Sequence, residues 1–402
     1  MIFNTYWFLC TVVPFLLLYW LVPVAKIRLV VLLSYCAVFH FHFAGSAGVL
    51  PIVVLAIMTY VCGLYGGKKA RVAAIVICVL ALCFYKYMLF VSDEIIAPML
   101  PDLALTLRNA AVALLPASPP LAISFFTFEF VHYLVEVYKG GEPIKQPHRF
   151  AIFTIFFPSL VAGPIKRYGQ FLPSMDEGLK SIPFKSIVLG LLLVSMGFFK
   201  KLVIADNCAY FTDYKNSDAF FLLPSLERWA FLVCLSFRIY MDFAGYSDIA
   251  IGLAKMMGIE LPRNFNWPYF AINLRDFWHR WHISLSTWIR DYIYIPLGGG
   301  RSGRIRTAIN VAFAFALCGL WHGAHWNFVL WGLYHGLGLA ICVSYPAMYG
   351  GKNLQNWLSK VPPLKVLITY LFVSFGWLLF FYQPERAWML FRYLFLPVGV
   401  RI

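Results

Sequence analysis

The stretch TAINVAFAFALCGLWHGAHWNFVLWGLYHGLGLAICVSYPAMYGG, residues 307–351, runs for 45 positions without an Asp, Glu, Lys or Arg. A helix needs about 20 apolar residues to cross the hydrocarbon core of a bilayer. The stretch is therefore long enough for two crossings. It also holds three histidines, His322, His325 and His335. Ionisable groups at membrane depth are costly and functional by default. Gly319 and Gly323 flank His322 at i−3 and i+1, where small residues allow close approach of backbone or substrate.

The rest of the chain agrees with a membrane setting. Hydrophobic residues make up 61% of the 402 positions and charged residues 13%, about half the charge of an ordinary soluble domain. Trp7–Ala25 and Leu29–Gly66 are also free of formal charge. Further spans are expected near Val72–Val91, Leu121–Tyr138, Ser186–Ala205, Trp229–Leu253, Val366–Tyr382 and Ala387–Val400, and Phe150–Ile165 is short enough to be re-entrant. The fold class is an all-α polytopic membrane protein with about 10 to 12 transmembrane or re-entrant elements. The first apolar run is too long for a signal-peptide core and lacks a basic region before it, so it is expected to be a retained span.

Lys26/Arg28, Lys68/Lys69/Arg71 and Lys139/Lys145/Arg149 fall at every second boundary, and the alternate loops are uncharged (Gly45–Gly48) or net acidic. The positive-inside rule places the basic loops in the cytoplasm and the N-terminus outside. It also accounts for the net charge of +15 without a nucleic-acid partner. The nine cysteines form no CxxC pair and sit mostly in apolar runs, as small buried hydrophobes.

The chain is expected to be a single integral-membrane domain, 1–402, that changes in texture. Residues 1–115 form plain hydrophobic hairpins. Residues 120–340 embed charged and glycine residues among aromatics as a core, and 341–402 return to plain spans. Within the core, Asp276–Gly300 is DFWHRWHISLSTWIRDYIYIPLGGG. Read as one helix, it places Trp278, Trp281, Leu285, Trp288 and Tyr292 on an apolar stripe. His279, His282, Ser286 and Arg290 share another face, either as an interfacial anchor or as a wall presenting His282 to a polar cavity. The run FFPSLVAGPIKR, 156–167, breaks an apolar segment just before Lys166 and Arg167. Such a break lines protein or a water-filled cavity. Arg238–Pro268, with Asn264, has the same character, and Arg238 with Asp242 at i, i+4 is expected to self-neutralise.

Imidazole is the side chain best suited to take a proton from a hydroxyl near neutral pH. One buried histidine fixed by a second polar group suffices for acyl transfer from a thioester to an alcohol. No GxSxG elbow is present, so a covalent serine intermediate has no support. The HxxH pairs His279/His282 and His322/His325 leave a His-ligated membrane metalloenzyme as a rival, and a transporter as another. The absence of an internal repeat speaks mildly against the transporter.

Six segments together resemble the membrane-bound O-acyltransferase superfamily, in its bacterial polysaccharide branch. They are ISFFTFEFVHYLVEVYKG (123–140), FFPSLVAGPIKR (156–167), FFKKLVIADN (198–207), DFAGYSDIAIGLAKMMGIELPRNFNWPY (242–269), FWHRWHISLSTWIRDYIYIPLGG (277–299) and GLWHGAHWNFVLWGLYHG (319–336). The resemblance implies helices ringed around a central funnel in the bacterial inner membrane. It implies that His322 of the W-H-G motif and His282 of the R-W-H-x-S-L-S motif are the catalytic residues, and that no metal is needed. Substrate-binding roles are expected for Ser286, Asn264, Arg290, Asp291, Lys166 and Arg167, the charged ones steering the donor at the cytoplasmic mouth. No tightly bound cofactor is expected. The co-substrate would be an acyl thioester, acetyl-coenzyme A or an acyl carrier protein. The partners would be membrane lipid, a cell-envelope polysaccharide acceptor, and either a periplasmic acyltransferase or the cytoplasmic carrier. The PLGG ending at Gly299 is similar to the acetylation type and the chain length to the D-alanylation type. The motif carries more weight, so acetyl transfer is expected and D-alanyl transfer to teichoic acid is the alternative.

Overall fold

The computed structural model describes residues 2–116, 119–216, 219–301, 303–344 and 360–400. Every regular element among these residues is helical. In chain order the helices are α1 (Tyr6–Leu21), α2 (Ala25–Leu64), α3 (Lys68–Phe90), α4 (Pro101–Leu114), α5 (Ile123–Tyr138), α6 (Pro147–Ile155), α7 (Tyr168–Lys180) and α8 (Phe184–Phe198). They continue with α9 (Asp206–Lys215), α10 (Ser225–Met256), α11 (Leu274–Arg280), α12 (Ile283–Ile289), α13 (Arg304–His322) and α14 (Trp326–Ser344). Two further helices, Pro362–Phe381 and Pro384–Tyr393, follow.

Among the described residues six helices are long and apolar enough to cross a membrane: Ala25–Leu64, Lys68–Ile96, Phe184–Lys215, Arg304–His322, Trp326–Val343 and Pro362–Phe381. The charge-free 307–351 run thus supplies two of them, as a helix pair broken at Gly323–His325. Its end, like residues 345–359 of the expected C-terminal spans, lies outside the described residues. The span expected at Ala387–Val400 does not form. Helix Pro384–Tyr393 has 10 residues, which reach about 15 Å at 1.5 Å per residue and fall short of the bilayer core.

The chain divides into two units, Met1–Met196 with Tyr246–Pro262, and Gly197–Gly245 with Arg263–Ile402. In the first, α2 is one long run interrupted at Gly45, whose φ of 64° and ψ of 173° are non-helical. The expected Gly45–Gly48 loop is thus reduced to a single break, at a residue with no Cβ to clash at positive φ. Trp20 donates to Met256 O at 2.9 Å and Tyr19 to Met257 O at 3.3 Å, fastening α1 to the end of α10. Lys166 and Glu129 form a buried ion pair. Of the cysteines, Cys36, Cys78 and Cys318 are buried as expected, whereas Cys10 and Cys83 are exposed on outward helix faces.

In the second unit α13 and α14 pack backbone to backbone. A Cβ on Gly319 would collide with Phe328 O, and one on Gly332 with Phe315 O. Only glycine permits that approach, so the small residues around His322 serve helix packing. Arg228 is fully buried, and its guanidinium donates to the carbonyls of Leu223 (2.8 Å), Phe221 (2.8 Å) and Leu396 (2.8 Å). It thereby ties α10 to the segment after Pro384–Tyr393.

Candidate active site

The expected single helix over Asp276–Gly300 is broken in the middle. α11 ends at Arg280, and His282 takes φ 41° and ψ 54° before α12 starts. A left-handed conformation at a non-glycine residue is uncommon and persists only where its surroundings impose it. The imposing partner is Asn264. Its backbone carbonyl accepts from Ile283 N at 2.9 Å. Its side-chain oxygen accepts from Ser284 N at 3.3 Å and Ser284 Oγ at 2.7 Å, and lies 3.2 Å from His282 Nδ1. Two residues on, Asn266 N donates to Arg280 O at 2.9 Å. The 264–266 segment therefore clamps the break from both sides.

This clamp fixes the chemistry of His282. The Ser284 backbone N–H can only donate, so the Asn264 atom facing it is the oxygen, and that oxygen can only accept. His282 Nδ1 must therefore carry the hydrogen, and Nε2 presents a lone pair. Nε2 is buried and has no hydrogen-bond partner, while the residue as a whole is 1% exposed. Burial holds this imidazole well below the usual histidine pKa, and the nearby charge of His322 pushes in the same direction. His282 is thus a neutral acceptor of fixed tautomer. Phe243 stands edge-on to its ring at 4.6 Å and Trp321 lies 6.2 Å away.

His322 is the last residue of α13. It is half-buried rather than sealed inside a span, because the helix stops there and the chain turns at Gly323–His325. Its ring packs edge-on against Trp331 (5.1 Å) and Phe380 (5.2 Å) and beside Trp321 (4.7 Å). Trp321 thus touches both His282 and His322. Positive charge that develops on a ring in this position is favoured by the carbonyl end of the helix.

The HxxH pairs are separated by these same breaks. His279 and His325 are exposed, whereas their partners turn inward. Among the described residues no group of three His, Cys, Asp or Glu side chains is placed to hold a metal ion.

Of the other expected site residues, Ser286 donates its hydroxyl to Trp281 O at 3.1 Å, inside the break. Arg290 is exposed and bonds Asp291 at 2.8 Å, in a wide helical turn after α12. Lys166 and Arg167 belong to the other unit. Lys166, expected at an open mouth, is instead 1% exposed and held by Glu129, because an ammonium in so apolar a surrounding needs its counter-ion. Arg167 is half-buried. The expected Arg238–Asp242 pair also gives way to other partners. Arg238 bonds Asp213 at 2.6 Å, and Asp242 bonds Lys201 at 2.6 Å, since a neighbouring carboxylate captures the guanidinium and a neighbouring ammonium captures the carboxylate. Ser284 and Phe243, which the sequence did not single out, are integral to the His282 setting. The serine was visible in the R-W-H-x-S pattern, and nothing in the sequence marked the phenylalanine.

Residues 144–383 match the model of the membrane-bound O-acyltransferase family. The chain is 37% identical over 287 residues to a peptidoglycan O-acetyltransferase of Helicobacter pylori, covering 65% of this chain and 54% of that protein. It is 38% identical over 280 residues to a probable alginate O-acetylase of Pseudomonas aeruginosa, covering 69% and 51%. It is 32% identical over 289 residues to a teichoic acid D-alanyltransferase of Bacillus subtilis, covering 67% and 72%. The chain spans about half the length of the two acetylating relatives. With a family match over more than half its length, and with only helices and six of them apolar and of membrane-crossing length among the described residues, this chain belongs to the membrane-bound O-acyltransferase family.

Proposed function

We propose that the protein moves an acetyl group from a cytoplasmic thioester, acetyl-coenzyme A or an acyl carrier protein, to a hydroxyl of a cell-envelope or exported polysaccharide, directly or through a periplasmic acyltransferase partner. The observation that carries this reading is the fixed tautomer of His282 one aromatic ring away from His322. His282 Nε2 accepts a hydrogen bond from a neighbouring hydroxyl of the acceptor sugar and so orients the reacting one. Burial makes His282 a poor base, so the general base is His322, which accepts and removes the hydrogen of the reacting hydroxyl and whose half-buried ring at a helix end better tolerates the charge. The hydroxyl oxygen then attacks the thioester carbonyl, the carbon–sulfur bond breaks, and His322 returns its proton to the departing thiolate. Arg290, with Asp291, draws the anionic donor toward the histidine-bearing unit, and Arg167 adds a positive charge to its own unit. Lys166 acts from within by holding its own loop.

D-alanyl transfer is the second reading, favoured by coverage of 72% of the Bacillus subtilis D-alanyltransferase. The chemistry at the two histidines is the same in both cases.

The test replaces His322 with Ala in cells that express the inserted protein and follows ester-linked acyl groups released from the surface polysaccharide by mild base. Loss of the ester with protein level unchanged supports the proposal, and unchanged acylation overturns it. The mass of the released acid separates acetate from D-alanine.

A further inference from the structure

We infer that the first unit carries a binding site, separate from the histidine pair, for a neutral membrane lipid bearing a free hydroxyl. A cavity of about 240 Å³ lies between α2, on both sides of its Gly45 break, and α6, lined among others by His40, Ile52, Ala56, Tyr60, Phe150 and Thr154. Val53 and Ile57, also in its wall, are 41% and 59% exposed. On a helix of membrane-crossing length that exposure is to lipid, so the mouth opens to the bilayer.

One polar group in the wall lacks a partner. His40 is 3% exposed and its Nε2 makes no hydrogen bond. The other polar groups are engaged: Thr154 Oγ1 donates to Phe150 O at 2.8 Å and Tyr60 OH to Lys145 O at 2.7 Å. The ring of His40 is braced by Phe126 at 5.3 Å. A buried polar atom without a partner is destabilising, and each such atom in a native protein needs a reason. His40 lies five residues before the Gly45 break, on the one long helix of this unit with a non-helical residue inside it.

The lining selects the ligand. It offers aliphatic and aromatic surface and no Lys or Arg, so a phosphate in the cavity would be an unpaired charge at membrane depth. A neutral hydrocarbon chain fits. A hydroxyl can donate or accept, and so satisfies Nε2 in either tautomer of His40. These features together describe a mono- or diacylglycerol or a fatty alcohol.

The test uses the purified full chain in nanodiscs with a diazirine-bearing monoacylglycerol and a diazirine-bearing alkane of the same chain length, which can neither donate nor accept. Cross-links are mapped by mass spectrometry. The expected result is adducts on Ile52–Tyr60 and Pro147–Ile155. Labelling by the monoacylglycerol should fall about fivefold to tenfold in His40→Phe, the value of one buried hydrogen bond, and should be kept in His40→Gln. Labelling by the alkane probe should be weak and equal in both variants. Ala56→Trp, or Ala56→Leu if the larger residue does not fold, should lower labelling by filling the cavity. Labelling that is insensitive to cavity filling, or a His40→Phe effect equal for both probes, overturns the inference.

Discussion

Asn264 and His282 meet across 18 residues of chain, side-chain oxygen to Nδ1, at 3.2 Å. The same oxygen accepts from Ser284. This contact sets which nitrogen of His282 carries the lone pair, so in the proposed reaction Asn264 acts through His282 without itself touching substrate.

Replacing Asn264 with Leu removes the acceptor while keeping much of the volume. Released from the clamp, His282 is free to put its hydrogen on Nε2. The maximal rate should fall about tenfold to a thousandfold, at the scale of an orienting contact to a catalytic imidazole. Asn264→Asp should recover part of the rate while favouring the protonated ring, which displaces the acid limb of the pH–rate profile upward. Acyl transfer measured from pH 5 to 9 in the three proteins checks this. An Asn264→Leu profile identical to the parent contradicts it.

The pH dependence of stability follows from the burial of His282. Its pKa in the folded protein lies well below the ordinary 6.5. Below about pH 6.5 the unfolded chain takes up a proton that the folded one refuses, so stability is lost as the medium becomes more acid. Above that value the residue adds no slope. His282→Gln should flatten the fall in melting temperature between pH 6.5 and 5 relative to the parent. A parallel fall in both proteins shows that other groups govern it.

Removing one member of the Glu129–Lys166 pair leaves the other buried without a counter-charge. Lys166→Met should cost about 3–5 kcal/mol, and adding Glu129→Gln should restore much of the loss. Melting curves of the purified proteins measure this. Activity of the double variant then distinguishes the roles of Lys166. A stable double variant with normal turnover makes the pair purely architectural. A stable but inactive one makes the lysine a donor contact.

The glycines separate by what surrounds them. Gly332→Leu drives a side chain into Phe315 O, which should push α13 from α14 and lower both stability and activity by displacing His322. A Cβ on Gly300 meets Tyr294 OH at 3.5 Å, an ordinary contact. Gly300→Ala should thus stay within about 0.5 kcal/mol of the parent. Equal tolerance at the two positions, read by expression and melting, would falsify the tight helix pair.

The helix pair of the 307–351 run was legible because the absence of charge over that length allows few alternatives to lipid. The histidines stood out for the same reason. The break at His282 was not legible. The segment from Asp276 to Arg290 contains neither glycine nor proline, and its apolar stripe suits one helix. What bends it is Asn264, a contact created by tertiary folding. The same cause hid the ion pairs. Arg238 and Asp242 are well spaced for each other on α10, but Asp213 on α9 and Lys201 in the turn before it bring better-placed charges. Spacing reports partners along one helix and is silent about those on the next.

The buried Lys166–Glu129 pair has a consequence for how the chain is made. Glu129 lies on α5, and 37 residues separate it from its lysine. At synthesis rates of about 5–20 residues per second, the carboxylate leaves the ribosome about 2–7 seconds before its partner exists. During that interval α5 cannot settle at its final depth as an ion without an alternative partner. A Glu129 buried before the GPIKR loop is made must therefore be carried as the neutral acid, and the ion pair forms only after translation has delivered Lys166.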